Sequence, residues 1–110
     1  MSKIPDNWTY EAFHAFAMLY AANADGEITE QEESLIKEQI TPEVYAEIKT
    51  IFDNCDDADC LDGMLQYRNR YIATPADKER ILKDMSAVFE VNHRYVQIER
   101  QLLHLLNRML

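Results

Sequence analysis

Four carboxylates, Asp25, Glu27, Glu30 and Glu32, gather near one of the chain's two glycines in Asn23-Ala24-Asp25-Gly26-Glu27-Ile28-Thr29-Glu30-Gln31-Glu32. Asp25, Glu27 and Glu32 offer the oxygen ligands that hard divalent cations such as Ca2+ or Mg2+ prefer. The pattern returns in fainter form. Moving 67 residues on sets Asn92 under Asp25, His93 under Gly26, Tyr95 under Ile28 and Glu99 under Glu32, and the step from Asp or Asn to Glu is seven in both copies. A metal site on this stretch would draw on Asp25, Glu27 and Glu32, joined by Glu99 across the repeat.

Two other chemistries compete for the same residues. With Gly26 at the sixth position of an EF-hand loop, Asn23 falls third, Asp25 fifth, Thr29 ninth and Glu32 twelfth. The first ligand position then falls on Ala21, inside a segment that reads as continuing helix, so one anionic ligand is missing. The remaining reading is structural. Gly26 ends one helix in a left-handed conformation, and Thr29-x-x-Glu32 is a capping box that starts the next. The echo loses that box, since Val96 stands in place of Thr29, yet Glu99 stays at its offset and suits a helix N-terminus.

Further reactive patterns are sparse. Glu11-x-x-His14 and Glu90-x-x-His93 copy the motif of carboxylate-bridged di-iron bundles, but no helix before Glu11 supplies the lone glutamate that such a site needs. The run from Asp53 to Asp62 has five aspartates and no base; Asp56 or Asp57 can cap a helix beginning near Ala58. No phosphate loop, nucleophile elbow or zinc-protease motif is present, and the chain reads as non-enzymatic. Cys55 and Cys60 have neither zinc-knuckle spacing nor a neighbouring histidine and read as reduced thiols.

The elements that must position these groups are helices. Thr41-Pro42-Glu43 and Thr74-Pro75-Ala76-Asp77 each supply a Thr N-cap, a Pro at the first helical position and an acid in the first turn. Together with the capping box they place helices at about 7–24, 30–39, 42–54, 58–72, 75–90 and 96–109. Phe13, Phe16, Ala17 and Tyr20 recur at helical spacing on the first, Val44, Ile48, Ile51 and Phe52 on the third, and Ile81, Leu82, Met85, Val88 and Phe89 on the fifth. The last carries leucines over a wide arc, which predicts a central position with two faces buried, within the domain or against a partner such as a second copy of the chain. Trp8 and Tyr10 read as anchors of a helix start.

Composition agrees with one all-α domain spanning residues 1–110: apolar residues make up 47% of the chain, with only two glycines and three prolines. The net charge is −9, unevenly spread. Residues 1–62 hold 15 acids and 3 bases, whereas residues 63–110 hold 5 acids and 8 bases. An acidic pole repels nucleic acid and anionic lipid and attracts cations or basic protein surfaces. No stretch has the length and apolarity of a membrane span, and residues 1–7 lack the pattern of a signal peptide, which points to the cytoplasm.

The segment Met18-Leu19-Tyr20-Ala21-Ala22-Asn23-Ala24-Asp25-Gly26-Glu27-Ile28-Thr29, with Glu32 and Ile36, resembles the Ala-Asp-Gly-Glu-Ile-Ser/Thr motif of the tellurite-resistance TerB-like domains. The likeness covers most of residues 13–106, and its specific part is this first motif. Asn92 and His93 depart from the Asp-Gly usual in the second. The resemblance implies an all-helical fold with an internal repeat, a role in bacterial stress response through an unidentified protein partner, and metal chelation by acidic residues at helix ends. Asp25, Glu27 and Glu32 match the first motif and Glu99 the second.

Overall fold

The first helix, α1 (Tyr10–Ala22), is apolar on nearly every side, and the rest of the chain is arranged around it. Thr9 caps it by accepting the Ala12 amide at 3.3 Å, so it begins at Tyr10 and not at residue 7 as the spacing predicts. Phe13, Phe16, Met18 and Leu19 are fully buried, and Ala12, Ala15, Ala17, Ala21 and Ala22 between them let neighbouring helices approach closely. The computed structural model describes residues 4–23, 28–90 and 96–109, which hold seven α-helices and no strand. The Cα radius of gyration is 12.8 Å, the value expected of a single domain of this length.

After α1 come α2 (Glu30–Gln39), α3 (Pro42–Asp53), α4 (Asp57–Gln66), the short α5 (Arg68–Tyr71), α6 (Pro75–Glu90) and α7 (Val96–Met109). Helix α1 packs on α2, α3, α4 and α6, while α7 packs chiefly on α6. This corrects the expectation that the last helix is central. Of the leucines whose side chains are described on α7, Leu106 is fully buried and Leu105 is 41% exposed. The alanine-rich α1 fits the centre better because small side chains on all its faces allow close contact with four neighbours.

The starts of the helices follow the caps read from the sequence. Thr41 accepts the Val44 amide at 3.3 Å, and Thr74 accepts the Asp77 amide at 3.2 Å. Asp56 and Asp59 form a reciprocal capping box on α4, with bonds of 2.8 and 3.2 Å. The segment expected as one helix over 58–72 is instead two. Tyr67 breaks it with φ −98° and ψ 3°, and its ring is buried in an aromatic cluster. Adding the 67-residue offset to α1 and α2 gives 77–89 and 97–106, ranges that fall within α6 and α7. The repeat thus corresponds to two helix pairs, and their first members pack on each other.

Candidate functional site

The corner between α1 and α2 is built from its caps. Asn23 closes α1, its amide donating to the Leu19 carbonyl at 3.0 Å. Across the corner Thr29 caps α2: its hydroxyl oxygen accepts the Glu32 amide at 3.2 Å, and Glu32 Oε1 accepts both the Thr29 amide at 2.9 Å and the Thr29 hydroxyl at 3.0 Å. Glu32 is only 3% exposed. A buried carboxylate is costly unless donors satisfy it, and these bonds supply two at one oxygen. A cation bound at Oε1 would have to displace part of the cap.

The other predicted ligands fall elsewhere. Asp25 and Glu27 lie outside the described residues, and so does the side chain of Glu99, whose backbone belongs to α7. Among the described residues, no group of three or more His, Cys, Asp or Glu stands close enough together to hold a metal ion. The two residues of the first Glu-x-x-His motif have separate partners. Glu11 Oε2 accepts the Thr41 amide at 2.9 Å, tying α1 to the start of α3, while His14 Nε2 meets Asp84 Oδ2 at 2.9 Å on α6. His93, from the second motif, lies outside the described residues.

The His14–Asp84 contact belongs to a polar seam between α1 and α6. The Tyr10 ring stacks on His14 with centroids 5.6 Å apart, and the Arg80 guanidinium lies over the other member of the stack, 4.6 Å from the Tyr10 centroid. His14 is 8% exposed. Neither Arg80 nor Asp84 belongs to a motif named above. A signal was present: Tyr10 and His14 are four apart on α1, Arg80 and Asp84 four apart on α6, and i,i+4 residues share a helix face. These contacts hold the two first members of the repeat together.

A second unforeseen feature is the N-terminal strap, residues 4–8. Tyr67 receives the Trp8 amide at 3.0 Å and donates its hydroxyl to the Pro5 carbonyl; Tyr71 donates to the Trp8 carbonyl at 2.6 Å. Trp8 stacks on Tyr67 at 5.3 Å and leans on Phe16 at 5.0 Å. Ile4 seats on Gly63, where an added Cβ would come within 2.8 Å of Ile4 Cγ1. Trp8 and Tyr10 thus do anchor the start of α1, through partners 59 to 63 residues away.

The outer surface of α2, α3 and α4 is acidic. Glu30, Glu38, Glu43, Glu47, Asp53, Asp57 and Asp62 are exposed there. Two lysines offset a small part of this charge: Lys37 pairs with Glu33 at 3.2 Å and Lys49 with Asp53 at 2.7 Å. Tyr45 also donates to Glu33 Oε2 at 2.9 Å, and that bond, with Lys37 beside it, holds the Glu33 carboxyl below its ordinary range. Burial, reinforced by Glu33, raises the Tyr45 phenol. Neither Cys55 nor Cys60 forms a disulfide. Cys60 is buried, and desolvation, with Cys55 and the nearby aspartates adding to it, pushes its thiol up to about 12.

Among the described residues no helix is long and apolar enough to cross a membrane. Comparison of the chain with models of known families, with curated proteins and with solved structures finds no match.

Proposed function

We propose that this chain is a non-enzymatic protein-interaction module of the TerB-like kind, acting in the cytoplasm in a bacterial stress response of the tellurite-resistance type. Its acidic α2–α4 surface would dock a basic region of a protein partner, and its field disfavours nucleic acid. The observation that carries this reading is the exposed run of acids from Glu30 to Asp62, of which Lys37 and Lys49 neutralise few. The motif around Asp25-Gly26 and the two helix pairs 67 residues apart support the TerB-like assignment. Calorimetric titration with a lysine-rich peptide tests the docking. Binding should weaken about tenfold or more in Glu43→Lys/Glu47→Lys; equal affinity in wild type and variant would reject the reading.

At the α1–α2 corner the geometry of Glu32 favours capping over chelation as what sets the helix angle. The alternative is a weak Ca2+ or Mg2+ site of Asp25, Glu27, Glu32 and Glu99 that shapes the same surface. Titrating each cation into wild type and Asp25→Asn/Glu32→Gln separates them. Capping predicts no heat and no rise in melting temperature at millimolar metal. A rise that is lost in the variant would establish the cation site.

A further inference from the structure

We propose that the groove between α6 and α7 is a docking site for the acidic outer face of α2 from a second copy of this chain. The groove is open and offers about 730 Å³; Lys78, Leu82 and Lys83 of α6 and His104 and Asn107 of α7 line it, and Glu79 is the one acid among its described lining residues. In a chain of net charge −9, two lysines flanking a leucine on one wall stand out. Among the described residues neither Lys78 nor Lys83 has an ion-pair partner. An open groove with a leucine and a net positive charge among its described lining residues fits an acidic amphipathic helix.

The chain itself displays such a helix face. Glu30, Gln31, Ser34, Leu35 and Glu38 lie together on the outer side of α2, with Leu35 half-buried between exposed acids. Glu30 and Glu38 are about 12 Å apart along the axis. Lys78 and Lys83 are about 7.5 Å apart along α6, with His104 facing them across the groove. Neither Glu30 nor Glu38 has an ion-pair partner among the described residues. A two-fold dimer would make the contact twice, and a one-sided arrangement would build a chain of copies.

This deepens the interaction-module reading and rests on it, but adds a basic face to the acidic one. Sedimentation equilibrium at low salt over a range of concentrations tests it with three full-length proteins. Wild type should self-associate, and Lys78→Glu/Lys83→Glu and Glu30→Lys/Glu38→Lys should each weaken association about tenfold or more. An equimolar mixture of the two variants should regain it, because their charges are again complementary. Circular dichroism checks that both variants fold. A wild type that stays monomeric, variants that associate as well as wild type, or a mixture that fails to recover would each overturn the proposal. An unrelated polyglutamate peptide binding the groove of a monomeric wild type would assign it to another acidic partner, also against the proposal. Because Lys78→Glu/Lys83→Glu leaves the acidic surface intact, its binding of a lysine-rich peptide reports on that surface separately.

Discussion

Tyr67 holds the N-terminal strap with one hydroxyl, which accepts the Trp8 amide and donates to the Pro5 carbonyl. Tyr67→Phe keeps the ring stack but leaves both backbone groups without that partner, so we expect a loss of about 2 kcal/mol in urea unfolding. At the α1–α2 corner, Thr29→Ala removes the cap of α2 and should cost about 1 kcal/mol. Under the capping account that loss is the same with and without chelator. Glu33 titrates below its unfolded value, so its contribution is present above about pH 4.3 and fades as pH falls through its lower folded value. Glu33→Gln should therefore flatten the acid limb of stability against pH. Thiol labelling at pH 8 should modify Cys55 well before Cys60, whose thiol is buried and held protonated.

Between helices, the His14–Asp84 contact is the direct polar link between α1 and α6 at the seam. Asp84 is 30% exposed in its side chain, so solvent weakens the pair. A double-mutant cycle with His14→Ala and Asp84→Ala should give a coupling of about 1 kcal/mol. Elements were largely legible in the sequence because caps are local: Thr29, Thr41, Thr74 and Asp56 each sit within three residues of the amide they satisfy. What local patterns missed depends on distant partners. The break at Tyr67 arises where its side chain meets a strap about 60 residues earlier, and the centrality of α1 depends on which faces its neighbours cover. The central position that the leucines of α7 suggested is taken by the alanine-rich α1. Of the candidate site, the role of Glu32 was readable from Thr29-x-x-Glu32. The seam of Tyr10, His14, Arg80 and Asp84 was not, because each half of it looks ordinary until α1 and α6 are placed together.

For the molecule as a whole, the helix pairs α1–α2 and α6–α7 repeat a scaffold while their surfaces diverge in charge. The α2 face presents Glu30 and Glu38, and the α6–α7 groove presents Lys78, Lys83 and His104. Duplication of a helical corner followed by opposite charging would yield a module with two kinds of docking face. The central claim is that the acidic half binds through charge, and charge-driven binding must be screened by salt. The direct measurement is the affinity of the wild-type chain for a lysine-rich peptide, taken by calorimetry from about 0.01 M to about 1 M salt. The account predicts an affinity that falls steadily across that range, whereas an affinity independent of salt, or no binding even at the lowest salt, would contradict it.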